Sequence, residues 1–268
     1  MTITKQCAVN ITGSGTKPIV FLHGYGCDSS MWSKVSPAFE ADFQVITYDL
    51  MGYGKSAIEH YCPDRYGSLN GYADDLIAIL EELRLQDVIV VGHSVSAMII
   101  GLAAKRRPDL IARLAMVCPS PSYRNDGDYA GGFDLADLHG LLDILDVNYL
   151  GWARDMAPQI MGVPAQPALG DALTESFCRT HPDIAKTFAR VTFLYDHRED
   201  VKAITQPTLM LQCQDDVLVP PSVWTWLTDN MQNAELVVLD CTGHCPHMSY
   251  PKETTQALMD FLRPQAAA

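Results

Sequence analysis

The sequence predicts an α/β fold: a doubly wound, mostly parallel sheet with a helical insertion over one edge. Short apolar, β-branched segments alternate with segments of helical periodicity, as in parallel strands joined by right-handed helical crossovers. The alternation stops between residues 119 and 193, where only helical patterns occur. The chain is 268 residues long and 48% hydrophobic, which fits one α/β domain with a large core.

Six segments are predicted to be strands because they are apolar throughout and bounded by turns, the pattern of strands buried on both faces. They are residues 19–22, 44–48, 88–91, 114–117, 208–212 and 236–239. Helical spacing of apolar residues predicts helices over 72–83, 94–107, 220–231 and 252–262. The uncharged stretch 88–104 contains Gly92, His93, Ser94 and Ser96 in its middle. We therefore interpret it as a buried strand, a sharp turn and a buried helix rather than a membrane span.

Residues 119–193 are predicted to form four helices inserted between two strands of the core, which comprises residues 1–118 and 194–268 of the same single domain. The first two helices have apolar stripes, namely Leu135, Leu138, Leu141, Leu142 and Leu145, then Tyr149, Trp152, Met156 and Ile160. Two further helical stretches cover about 170–179 and 182–193. Ligands of such sheets bind at the carboxyl edge of the strands. We expect a lid over a pocket; the alternative is a helical bundle with no role in the site.

Composition excludes several classes of function. The formal net charge is −13, and such a surface repels nucleic-acid phosphates and anionic lipids, so neither is an expected partner. Eight cysteines are scattered at irregular spacing, unlike the dense pattern of a disulfide scaffold. The amino-terminal residues carry no apolar signal stretch, and the expected location is therefore the cytoplasm.

The string Gly92-His93-Ser94-Val95-Ser96 follows the apolar run 88–91 and precedes an apolar helix. It is similar to G-x-S-x-G, the strand–turn–helix elbow that raises a serine side chain above a sheet. Ser96 departs from the final glycine but is still small. Ser94 is therefore the predicted nucleophile, the alternative being a buried helix N-cap.

A serine hydroxyl needs a base to accept its proton. Two histidines, His244 and His247, follow the last predicted strand. His244 is the predicted base because it forms a Gly-His pair suited to a tight turn, and His247 is expected to be structural. Cys241 and Cys245 beside them suggest zinc, but this spacing matches no zinc pattern and the sequence holds no second ligand cluster. No metal or cofactor is expected.

A carboxylate must orient the imidazole and stabilise its charged form. Asp215 and Asp216 both follow the strand predicted over 208–212. Asp216, which precedes Val-x-Val-Pro, is the predicted acid, and Asp215 is expected to cap the turn. The chain order Ser94, Asp216, His244 is that of α/β-hydrolases.

Acyl transfer also requires preorganised donors for an oxyanion. The backbone N–H of Val95 at the elbow is one predicted donor. The backbone N–H of Tyr25, in the loop after the strand 19–22, is the other, and the Tyr25 ring is expected to form a wall of the pocket.

With these residues assigned, the chain resembles the RsbQ-like group of α/β-hydrolases, which includes the bacterial stress regulator RsbQ and the plant strigolactone and karrikin receptors. The resemblance covers about residues 3–263, the insertion included. The matching strings are residues 21–28, 92–99, 118–123, 129–133, 195–200 and 243–248.

The resemblance implies a V of four lid helices above a small apolar pocket. The residues carried over as pocket lining are Tyr25, Val95, Phe133, Trp152 and Phe193. The expected function is a serine hydrolase (a carboxylic-ester hydrolase) that cleaves small apolar esters or lactones through an acyl-enzyme. The alternative is a signalling protein in which slow hydrolysis or binding of a small apolar, butenolide-like ligand controls a protein partner. A cofactor-free oxygenase or peroxidase using the same triad is less favoured.

Overall fold

A single seven-stranded sheet organises the computed structural model, which describes residues 1–263. The strands are β1 Asn10–Thr12, β2 Lys17–Leu22, β3 Phe43–Tyr48, β4 Val88–His93, β5 Ile111–Val117, β6 Thr208–Asp215 and β7 Ala234–Thr242. Their order is β1-β3-β2-β4-β5-β6-β7, with β1 antiparallel to β3 and all other pairs parallel. The six predicted strands are confirmed. β1 was not predicted because its three residues lie at an exposed edge and carry no apolar signature.

Helices connect the strands and cover the sheet. They are α1 Ile3–Gln6, α2 Pro63–Tyr66, α3 Leu69–Glu82, α4 Val95–Arg106, α5 Leu135–Val147, α6 Tyr149–Met161, α7 Pro167–Arg179, α8 Pro182–Phe193, α9 Arg198–Lys202, α10 Pro221–Asn230, α11 Pro246–Ser249 and α12 Pro251–Leu262. Short 3₁₀ turns cover Ser29–Trp32, Ser36–Phe39 and Ile58–His60.

The centre of the core is the pair formed by β4 and α4. Every residue of β4 is buried, and α4 is buried from Val95 to Ala104. The uncharged stretch 88–104 is therefore a strand, a turn and a helix, as predicted. Among residues 1–263, no helix combines the length and apolar character needed to cross a membrane.

Helices α5–α8 follow one another between β5 and β6, and we call them the helical insertion. The first helix of the insertion begins at Leu135 and not directly after β5. Residues 119–134 between them form turns and isolated bridges. The insertion is bonded to the loop after β2 by contacts that include two hydrogen bonds to backbone carbonyls. The Tyr25 hydroxyl donates to the carbonyl of Ala185 at 3.0 Å, and the Ser176 hydroxyl donates to the carbonyl of Gly26 at 2.8 Å.

The carboxyl end of α6 is bonded to the loop after β7. The backbone N–H of His244 donates to the carbonyl of Ile160 at 2.8 Å, and the hydroxyl of Thr242 donates to the carbonyl of Gly162 at 2.7 Å. Gly243 has φ of +89°, and a Cβ there would lie 2.0 Å from the carbonyl oxygen of Met161. Glycine is required at this position, because both the backbone conformation and the close approach exclude a side chain.

Candidate active site

Ser94 occupies the tight turn between β4 and α4. Its φ of 56° and ψ of −121° are strained for a residue with a side chain, and such strain clusters at functional sites. Gly92 makes the turn possible, since a Cβ there would lie 2.5 Å from the carbonyl oxygen of Ser96. The side chain of Ser94 is thus presented at the carboxyl edge of the sheet, as the elbow pattern predicted.

Ser96, which stands where the elbow pattern has glycine, forms a hydrogen bond through its hydroxyl. Its buried hydroxyl donates to the backbone carbonyl of His23, at the start of the loop that carries Tyr25. His23 is itself fixed, because its Nδ1 donates to the carbonyl of Gly24 at 2.9 Å and its Nε2 accepts from the N–H of Leu50 at 2.9 Å. The hydroxyl therefore ties the elbow to the loop after β2.

Three side chains form a continuous hydrogen-bonded row at the sheet edge. The Nε2 atom of His244 lies 2.7 Å from Oγ of Ser94, and its Nδ1 atom lies 2.7 Å from Oδ2 of Asp216. The other oxygen of Asp216 accepts from the N–H groups of Leu218 at 2.8 Å and Val219 at 3.3 Å. With Nδ1–H bound to the carboxylate, Nε2 is free to accept the serine proton.

The competing candidates lie elsewhere. The side chain of Asp215 is exposed at the end of β6, and its backbone carbonyl accepts from the N–H of Gly243 at 2.8 Å. His247 is completely buried, with ring centroids 4.5 Å from Trp32 and 4.4 Å from His93. Burial lowers the pKa of His247 to about 3 and keeps its ring neutral.

The backbone N–H groups predicted as oxyanion donors are those of Tyr25 and Val95. Val95 is the first residue of α4, where a backbone N–H has no partner within the helix. Within residues 1–263, the backbone N–H of Tyr25 donates no hydrogen bond to another backbone group. The role of both groups as oxyanion donors stays a prediction.

A small apolar cavity lies above Ser94, with a free volume of about 30 Å³, comparable to the space of one water molecule in the liquid. Its lining combines residues of the core and of the helical insertion. They are Tyr25, Cys27, His93, Ser94, Tyr123, Trp152, Ile160, Leu173, Phe177, Thr192, Phe193, Leu218, His244 and Cys245. Of the predicted lining residues, Tyr25, Trp152 and Phe193 are in this set.

Phe133 and Val95 are not among the residues that line this cavity, and their place in a substrate pocket stays a prediction. Phe133 is half-buried and bonded through its backbone to Tyr123 and Asn125. This pairing leaves Tyr123 at the cavity, where its ring lies 5.1 Å from that of Phe193. Val95 is buried in the core at the start of α4.

Helix α7 also contributes to the cavity, which was not predicted. Leu173 and Phe177, four residues apart, both lie on the lining. Residues at i and i+4 share one helix face, so this apolar pair was a signal available in the sequence. Leu218 and Cys245 were also missed, although each lies within two residues of a predicted triad member.

Comparison with known proteins agrees with this geometry. Residues 19–257 match the alpha/beta hydrolase family. The chain belongs to this family. As an α/β-hydrolase, it is 40% identical to a hydrolase from Oleispira antarctica, with a TM-score of 0.95 over 98% of this chain and 97% of that structure.

Plant members of the family are also similar over nearly the whole chain. A karrikin insensitive 2 receptor of Petunia hybrida is 35% identical over 258 residues, covering 96% of this α/β-hydrolase and 94% of the receptor. A strigolactone esterase of Arabidopsis thaliana is 34% identical over 257 residues, covering 96% of both chains. The predicted fold and the predicted family resemblance are confirmed.

Proposed function

We propose that the protein is a serine carboxylic-ester hydrolase that cleaves small apolar esters or lactones through an acyl-enzyme. The observation that carries this proposal is the row of hydrogen bonds from Ser94 through His244 to Asp216, which borders an apolar cavity. The similarity to a hydrolase and to an esterase supports the same reaction class.

The proposed reaction follows from the geometry of the row. His244 removes the proton from Ser94 as its Oγ attacks the ester carbonyl, and the imidazolium is stabilised by Asp216. The N–H groups of Tyr25 and Val95 bind the negative oxygen of the tetrahedral intermediate. His244 then protonates the leaving alcohol, and a water molecule activated by the same imidazole hydrolyses the acyl-enzyme.

The helical insertion is proposed to act as a lid. Drug-sized ligands occupy cavities of about 300–1,000 Å³, whereas this cavity has about 30 Å³ of free volume. Even a short ester therefore requires displacement of lining side chains. Six of the lining residues belong to helices α6–α8 of the insertion. A narrow chamber of this kind favours short acyl groups and excludes long lipids by steric overlap.

The dependence of hydrolysis on acyl chain length tests whether the substrate binds in a small enclosed cavity. We expect the specificity constant kcat/KM to fall by about a hundredfold or more from butyryl to dodecanoyl esters, the scale on which small differences in size are discriminated. Phe193→Ala removes an aromatic ring from the lining and should flatten that profile. Rates of hydrolysis of p-nitrophenyl esters of graded length provide the measurement.

Phe133→Ala is the matched control, because it removes the same ring from a position outside the cavity. Its chain-length profile should follow that of the wild type. A wild-type preference for dodecanoyl esters would show that substrates bind in an open groove and would contradict the lid.

Tyr25 tests the assignment of the oxyanion donors. Its hydroxyl donates to the carbonyl of Ala185 in the insertion, so the proposed donor to substrate is its backbone N–H. Tyr25→Phe retains that N–H and should keep kcat within a few-fold of the wild type. Loss of an oxyanion donor costs about 10²–10³-fold in kcat, and a loss of that size in Tyr25→Phe would instead assign the role to the hydroxyl.

A signalling role is the second candidate, favoured by the similarity to a receptor over nearly the whole chain. In that case the chain hydrolyses a small apolar, butenolide-like ligand slowly and the occupied state controls a protein partner. Rapid-quench kinetics distinguish the two: an esterase regenerates free Ser94 many times per minute, whereas a sensor retains its acyl group after one turnover.

A further inference from the structure

We propose that Cys118, Asp216 and His244 form an inhibitory site for a thiophilic divalent cation of the zinc class. One ligand atom from each of these side chains lies within 4.8 Å of the other two. This inference goes beyond the proposed hydrolysis, in which Cys118 takes no part.

Cys118 is held in place by an unusual backbone conformation. It is the first residue after β5, and its φ of +50° is rare for a residue with a side chain. Its backbone N–H donates to the carbonyl of Leu211 in β6 at 2.7 Å. The side chain is fully buried beside Asp216 and His244, and the Sγ atom of Cys213 lies 4.0 Å from its own Sγ.

The donor set suits zinc or cadmium. Zinc is bound by thiolate sulfur, imidazole nitrogen and carboxylate oxygen, with bonds of about 2.3 Å to sulfur and about 2.0–2.2 Å to nitrogen and oxygen. A tetrahedral ion with these bond lengths separates its donors by about 3.5 Å. The sulfur of Cys118 must therefore approach the other two donors by roughly 1 Å. Nδ1 of His244 and Oδ2 of Asp216, which lie 2.7 Å apart, must separate slightly to hold the ion between them.

Metal binding changes the protonation of Cys118 and of the His244 ring. When a cation binds the sulfur of Cys118, it replaces the thiol proton, which is released to solvent. The ring nitrogen of His244 that faces Asp216 is Nδ1. When Nδ1 binds the cation, the imidazole proton moves to Nε2, which then cannot accept a proton from Ser94.

Cation binding and ester hydrolysis are consequently exclusive. Cys118 and the side chain of Asp216 have no exposed surface, so the cation reaches them only when the structure opens locally. Inhibition should therefore develop slowly after mixing and should reverse slowly when a chelator is added.

The test uses Cd²⁺ and Zn²⁺ with the full-length protein. We expect Cd²⁺ to produce a cadmium–thiolate ultraviolet absorption at one equivalent, together with time-dependent loss of p-nitrophenyl butyrate hydrolysis that a chelator reverses. Cys118→Ala should keep the basal activity, lose the absorption, and need at least about tenfold more metal for inhibition. Cys62→Ala removes an exposed cysteine and should behave like the wild type.

Cys118→Ser retains the side-chain volume and serves as a second variant if the alanine variant unfolds. The absence of a thiolate absorption in the wild type, or the same absorption and inhibition in both Cys118 variants, would overturn the proposal. The absorption requires no turnover, so a wild type that binds Cd²⁺ at Cys118 without hydrolysing esters would contradict the proposed function and leave the metal site intact.

Discussion

Ser94→Ala should reduce ester hydrolysis by on the order of 10⁶-fold, the loss found when the nucleophile of such a triad is removed. The substitution removes only the Oγ atom that lies 2.7 Å from Nε2 of His244. The remaining structure still offers two backbone N–H groups and an apolar cavity, which account for whatever rate remains above the uncatalysed reaction. A chelator should leave the wild-type rate unchanged.

The measurement is kcat for p-nitrophenyl butyrate, with the midpoint temperature of unfolding to establish that the variant is folded. Thr192→Val is a matched control, because it removes a hydroxyl from the same cavity, where that hydroxyl is bonded to the carbonyl of Phe188. Thr192→Val should retain activity within a few-fold. Equal rates in the wild type and Ser94→Ala would refute the nucleophile.

Asp216→Asn should lower kcat by about 10⁴-fold, the effect of holding the imidazole in the wrong tautomer. Oδ1 of Asp216 accepts from the N–H groups of Leu218 and Val219. An amide at this position must keep its oxygen towards those donors, which turns its NH₂ group towards Nδ1 of His244. Nδ1 then becomes the acceptor, and the proton on Nε2 prevents it from activating Ser94.

Asp215→Asn is the comparison that makes this result specific. Its side chain is exposed and lies outside the hydrogen-bonded row, so kcat should change by no more than a few-fold. Both variants remove one negative charge at neighbouring positions. The comparison therefore controls for the change in electrostatic potential at the site. The assignment fails if Asp215→Asn shows the larger loss.

The parts of the site that could be predicted depend on local patterns. Ser94 follows from a strand, a glycine turn and a helix that are contiguous in the chain. The preference for Asp216 over Asp215 agrees with the end of β6, where two successive side chains face different surroundings. The six long strands were predictable because burial on both faces leaves an uninterrupted apolar run.

Other features of the site were not predictable from the sequence, because they depend on contacts between distant segments of the chain. Phe133 was carried over as pocket lining from the family resemblance, but its backbone forms a bridge with Arg124, and Tyr123 is the residue of this loop that lines the cavity. The proximity of Cys118 to Asp216 and His244 is likewise a property of the folded sheet, because parallel strands bring together residues that are far apart in sequence. No spacing rule would find such a set.

Hydrogen bonds connect the carboxyl end of α6 directly to the segment that carries the proposed catalytic base. His244 is bound through its own backbone N–H to the carbonyl of Ile160, and Thr242 is bound to Gly162. The carboxyl end of α6 cannot rise without breaking these bonds or carrying the base away from Ser94. If the helical insertion acts as a lid, we therefore expect lifting of this end of α6 to displace the base, so that ester cleavage occurs only while the end of α6 stays bonded to the loop that carries His244.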